Sequence, residues 1–241
     1  MIVAAPGTAQ AARNCLLNSA GNSYFAGWGH DNRLRSQYFE GASGFITVRD
    51  GLPCSAPSSP STNFTASWVM IADNQSKGWV QVGFLRRSDL SGVRWFSQSV
   101  QRVGFFPDTW ISPETWVSGQ VGTSHAFRVL WDPACYYSEG QTHACEKSII
   151  DSTTVAVSSF DPFGNWASPF LPMFFAETKN MASDVTGSAA AKTSFWGLGA
   201  QLYNDQLTNM TCTMLGRNDN PTRWSASPST CTAFDVWTAV P

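Results

Sequence analysis

Charge is the first thing this sequence is short of. Only 13% of its 241 residues are Asp, Glu, Lys or Arg, and 15 cationic against 17 anionic side chains leave a formal net charge of −2. Without a basic field, nothing holds a phosphate backbone or an anionic bilayer, so neither nucleic acid nor a membrane is an expected partner. Long apolar runs are missing too: none approaches the roughly 18 to 20 residues of a membrane-spanning helix. No stretch carries the 3.6-residue periodicity of a long amphipathic helix. There is no Gly-x-Ser-x-Gly elbow for serine chemistry, and His30, His125 and His143 lie far apart. No Cys-x-x-Cys pair or Cys/His cluster has zinc spacing. Asp161 and the Asn218-Asp219-Asn220 run lack a calcium-loop pattern and read as turn formers. No metal and no cofactor are expected.

What is present points to an oxidising compartment. Six cysteines, Cys15, Cys54, Cys135, Cys145, Cys212 and Cys231, are an even set suited to disulfides. Cys135 with Cys145 and Cys212 with Cys231 would each close a short loop, leaving Cys15 with Cys54, although six cysteines allow 15 pairings and spacing does not select among them. Met1 to Ala5 followed by Ala9-Gln10-Ala11 reads as the remnant of a signal peptide over residues 1–11; a terminal tail is the other reading. Residues 12–241 are then one domain, expected to be secreted and monomeric. The sequons at Asn63, Asn74 and Asn209 would accept glycans in a eukaryotic source.

Short runs rich in Val, Ile, Phe, Trp and Thr recur between Gly, Pro, Ser and Asn clusters, the rhythm of strands joined by turns. The spacing predicts strands at 44–48, 66–71, 78–84, 93–99, 125–131, 153–158, 171–177, 193–202 and 233–238. Such a set implies an all-β fold, a two-sheet antiparallel β-sandwich of the jelly-roll or concanavalin/lectin-like kind. The proline-rich stretch from Leu52 to Thr62 cannot continue a ladder and is expected as a loop tied down by Cys54. A second loop, from Lys179 to Ala191, is small and polar; it either covers a site or simply joins strands.

Side-chain alternation locates the candidate chemistry. Along Gly78 to Phe84 the period of two puts Val80, Val82 and Phe84 on one face and Trp79, Gln81 and Gly83 on the other. In Leu171 to Glu177 it puts Glu177 with Phe175 and Met173, so that a carboxylate ends a strongly apolar strand.

These segments carry a resemblance. Trp68-Val69-Met70-Ile71-Ala72-Asp73, then Gly78-Trp79-Val80-Gln81-Val82-Gly83, then Phe174-Phe175-Ala176-Glu177-Thr178 resemble, in order and approximate spacing, the motifs of the eqolisin glutamic peptidases. Phe39-Glu40-Gly41-Ala42-Ser43-Gly44 is similar to the strand before that family's proline-rich loop. The resemblance spans about residues 24–202 and implies a secreted β-sandwich hydrolase acting in acid, with catalytic Gln81 and Glu177 and with Trp68 and Asp73 orienting the site. Such a pair is chemically coherent: a glutamate takes a proton from the attacking water and returns it to the leaving amine, while an amide N–H stabilises the oxyanion. A neutral Gln does not raise the carboxylate's pKa as a second acid would. The family's aromatic run with an internal Glu is here Arg94-Trp95-Phe96-Ser97-Gln98, without an acid, and Met70 replaces a Gly.

The rival reading is a non-catalytic module that binds an extracellular glycan. Eleven tryptophans, among them Trp79, Trp95, Trp110, Trp116, Trp166 and Trp196, offer flat faces for sugar rings, and equally offer core filling. The expected partner is thus a polypeptide substrate or a glycan. Glycoside hydrolysis finds no Glu-x-Asp-x-x-Glu run to supply two flanking carboxylates, and Gln81 is followed by Val82-Gly83, unlike the Gln-Ile-His element of alginate lyases.

Overall fold

A computed structural model describes residues 23–30, 39–54, 63–73, 78–103, 106–111, 115–116, 121–136, 142–161, 166, 170–203, 205–210 and 214–239. The segment 1–11, Cys15, Cys212 and Asn74, together with the side chains of His30, Trp110 and Trp116, lie outside what is described. In chain order the strands are β1 (Tyr24–His30), β2 (Phe39–Thr47), β3 (Phe64–Ala72), β4 (Trp79–Arg87), β5 (Arg94–Val103), β6 (Phe106–Ile111), β7 (Thr115–Trp116), β8 (Ser124–Tyr136) and β9 (Thr142–Ile150). They continue with β10 (Thr153–Val157), β11 (Leu171–Thr178), β12 (Gly187–Ser188), β13 (Ala191–Leu202), β14 (Leu207–Asn209), β15 (Met214–Asn218), β16 (Trp224–Ala226) and β17 (Ala233–Thr238). Among the described residues there is no helix.

Two sheets form. The first runs β15-β1-β11-β3-β4-β5-β6, with β7 beside β5; the second runs β10-β9-β8-β2-β13-β12-β17-β16, with β14 beside β13. The pairings are antiparallel apart from one parallel bridge between Ser188 and Thr238. Each strand predicted from sequence falls on one of these. β1 and β9 were not legible because Gly27 and Gly29 weaken one strand pattern and Thr142 to Ser148 is largely polar.

Alternation explains why the sheets stack. Val80, Val82 and Phe84 of β4, Val69 and Ile71 of β3 and Phe174 of β11 point inward, against Ile46, Phe127, Val129 and Phe195 of the second sheet. Phe84 and Phe127 meet with ring centroids 6.4 Å apart. A buried Ser97 hydroxyl donates to Ser148 across the gap at 2.7 Å. Burial of each such apolar side chain stabilises by roughly 1.5–3 kcal/mol.

Cys135 and Cys145 are joined between β8 and β9 with Cα atoms 5.9 Å apart, inside the span a disulfide bridges without backbone movement. Cys54 and Cys231 also stand in disulfides. The loop at Cys54 and the one after β11 bind each other: Cys54 N–H donates to Ser183 Oγ and Asp184 N–H to Leu52 O, each at 2.9 Å. Ser183, Val185 and Thr186 are buried there, so of this second loop only Lys179 reaches the cleft described next.

Candidate functional site

The outer face of the first sheet is apolar where a solvated face would be polar. Ala66, Trp68, Leu85, Phe96 and Phe175 form a second buried cluster there, with Phe25, Phe64, Met70 and Met173 packed against it. Above it opens a cleft of about 790 Å³ whose lining includes Trp68, Trp79, Gln81, Gln98, Glu177, Lys179 and Arg217. Every polar group in it comes from the parity that alternation assigns to that face.

Glu177 is only 6% exposed, yet both its oxygens are served. The Trp68 indole N–H donates to Oε2 at 2.8 Å, and Lys179 Nζ lies 3.8 Å from Oε1. Lys179 is itself held, donating to Ser23 Oγ at 2.7 Å and resting 5.4 Å from the centre of the Phe64 ring. The Trp68 ring is fixed by neighbours, with Phe175 and Phe25 centroids at 5.6 and 6.2 Å. Two glycines make this packing possible. A Cβ on Gly83 would stand 2.1 Å from Ser67 O and 2.8 Å from Trp68 Cβ; one on Gly27, whose φ is +152°, would stand 2.9 Å from the Phe175 ring.

Gln81 is equally buried and donates from Nε2 to Gln98 Oε1 at 2.6 Å. The registers fix its place relative to Glu177. Gln81 pairs with Met70 and Met70 with Met173, whereas Glu177 lies four residues further along β11, opposite Ala66. Standard strand spacing puts their Cα atoms roughly 13 Å apart along the strands and about 10 Å across them. The two groups therefore lie on a diagonal of roughly 16 Å at Cα with Trp68 midway, farther than one water bridges, and Gln98, the acceptor of the Gln81 amide, stands on the strand away from Glu177.

The other residues singled out from sequence divide. Trp68 and Trp79 line the cleft; Asp73 does not, and its N–H closes the β3–β4 connection onto Gly78 O at 3.0 Å. Trp95 does not line the cleft: it has the inward parity of Ser97 and packs, partly buried, on Phe127 and His125, with centroids at 5.3 and 5.0 Å. Trp166 is buried. Gln98, Lys179 and Arg217 were not singled out. Gln98 stands in the quoted run Arg94 to Gln98 with the parity of Phe96. Lys179 is two residues beyond Glu177 on the same face, a position the alternation reaches if followed past the strand end.

Among the described residues, no group of three His, Cys, Asp or Glu side chains is arranged to hold a metal. Searches against family models and against curated proteins find no match. Among solved structures, the chain is similar to scytalido-glutamic peptidase in a crystal structure with a peptide-based transition-state analog, at TM-score 0.50 and 13% identity, over 90% of this chain and 99% of that one. The fold is eqolisin-like. A second similar structure, SCP-B of the eqolisin family in complex with the tripeptide Ala-Ile-His, has 13% identity, TM-score 0.49 and the same coverages. In this eqolisin-like sandwich, the cleft lies on the face of the first sheet and is built from β1, β3, β4, β5, β11 and β15 with Lys179 at its edge.

Proposed function

We propose that this chain is a secreted hydrolase that cleaves peptide bonds in acid. Glu177 is general base and then general acid, and Gln81 is the oxyanion donor. The observation that carries the reading is a nearly buried glutamate, oriented by an indole N–H, sharing one apolar cleft with a buried amide. Glu177 takes a proton from water, the water oxygen attacks the peptide carbonyl, and, with both side chains extended toward each other across Trp68 around the substrate, an N–H of Gln81 donates to the oxygen that gains charge. The protonated Glu177 then gives its proton to the amine as the C–N bond breaks, leaving a carboxylic acid and an amine. Phe25, Met70, Met173 and Phe175 supply the apolar walls for substrate side chains. Disulfides at Cys135–Cys145, Cys54 and Cys231 support an oxidising, extracellular setting.

The test is cleavage of an acid-denatured protein at about pH 4, near the ordinary glutamate pKa, by the parent and by Glu177→Gln and Gln81→Ala. Cleavage by the parent and its loss in both variants supports the reading. A folded parent without activity overturns it in favour of glycan binding. For that alternative the supporting feature is Trp196, 42% exposed and stacked on Phe45 with centroids 4.0 Å apart on the second sheet.

A further inference from the structure

We propose that a second pair of acids, Glu40 and Glu146, makes the sandwich itself acid-dependent: both fold as neutral carboxylic acids in the core, and the fold weakens as pH rises through neutrality. Glu177 plays no part in this.

Glu40 on β2 and Glu146 on β9 have the inward parity of Ala42, Ile46 and Ser148, and are 1% and 0% exposed. Glu146 stands opposite Trp131 of β8, and the adjoining β2 ladder starts at Gly41 opposite Leu130. The two acids therefore approach one level of the sheet from either side of β8. Neither oxygen of Glu146 has a hydrogen-bond partner among the described residues, nor has Oε2 of Glu40. An ionised carboxylate without donors or a counter-charge is among the costliest groups to bury; protonation removes that cost.

The groups that reach these acids are of the wrong sign to hold a carboxylate. Asp205 acts on Glu40, and Glu40 with Asp161 acts on Glu146. Across the gap, β4 presents Val80, Val82 and Phe84, and β5 presents Ser97 and Ser99, all uncharged. The cation next to Glu146 in sequence, Lys147, is on the opposite face and is paired with Asp132. Burial first and Asp205 second push the Glu40 carboxyl up to about 7. Burial, then Glu40, then Asp161 push Glu146 well above the ordinary value.

The sign follows from linkage. Acids whose folded pKa is raised keep protons that the unfolded chain has released, so stability is full below the unfolded value of about 4.5 and falls as pH rises above it. For Glu40 the fall runs from 4.5 to about 7; Glu146, also raised, adds a fall of the same sign. Each acid multiplies the unfolding constant by up to roughly ten per pH unit, so the pair approaches roughly a hundredfold per unit above about pH 5 while both keep their protons in the fold.

The experiment is denaturant unfolding of the whole chain from about pH 4 to 8, for the parent, Glu40→Gln and Glu146→Gln, with the protonated-carboxyl stretch of the native parent followed by infrared over the same range. The expected result is a steep loss of stability above pH 5 that each variant reduces by about one factor of ten per pH unit. The native parent should also keep a protonated-carboxyl band at pH 6. A parent whose stability is flat across this range, a slope unchanged in both variants, or a parent with no such band at pH 6 overturns the proposal. The infrared result decides even where a variant fails to fold.

Discussion

Two populations of buried glutamate share this sandwich, and they differ in company rather than in depth. Glu177, 6% exposed, looks out of the first sheet onto a cleft and is met by an indole N–H and an ammonium group. Glu40 and Glu146, at 1% and 0%, look into the space between the sheets and meet other carboxylates. A carboxylate given donors is held in position; one without them is held as a neutral acid. Burial alone does not say which role a glutamate plays.

The largest expected effect comes from taking the cleft glutamate away. Glu177→Gln keeps size and shape but removes the proton acceptor, and kcat should fall by about 10²–10⁴ while urea unfolding at pH 4 changes little. Weaker but still large is Trp68→Phe, which keeps an apolar ring over Phe175 and deletes the N–H. Stability should drop by about 1–3 kcal/mol, with kcat reduced more than KM in steady-state kinetics.

Gln98→Ala releases the Gln81 amide rather than removing it. The expected loss is roughly fivefold in kcat/KM, equal to one hydrogen bond of about 1 kcal/mol. Gln98→Glu, which keeps an acceptor at that position, should recover most of it; no recovery would mean that Gln98 only fills space. The smallest effect is expected on the far side of β9. Asp132 is held below the usual carboxylate range mainly by the hydrogen bond from Lys147, at side-chain exposures near 30%. Lys147→Met should therefore cost under about 1 kcal/mol. That cost should be present near neutrality and vanish as pH falls and Asp132 is protonated, opposite in sign to the dependence set by its neighbour Glu146. Parallel urea titrations at two pH values separate them.

Much of the cleft was readable in advance because alternation is local. Val80, Val82 and Phe84 against Trp79, Gln81 and Gly83 needed only the period of a strand, and the same rule set Glu177 with Met173 and Phe175. The same rule separates Trp95 from the cleft: its parity, opposite to Phe96 and Gln98, sends its ring toward Phe127 and His125. Arg217 was out of reach, since β15 is five residues long with Gly216 inside it and the Asn218-Asp219-Asn220 run, which reads as a turn, beginning at its last residue. The buried pair was illegible for a different reason: sequence gives charged residues to the surface by default, and only the packing of β2 and β9 reverses that for Glu40 and Glu146.

Gly83 beside Trp68 has a consequence for how this protein can change. The cleft's reactive groups are set by strand pairing, with β3 wedged between the strands of Gln81 and Glu177 and no room for even a methyl group where β4 passes Trp68. A slip of β3 by one residue would turn Trp68 into the core and Val69 into the cleft, exchanging every face at once. Chemistry and fold are therefore inherited together, and adaptation to new substrates is left to the rim, where Lys179 and Arg217 can be replaced without touching the ladder.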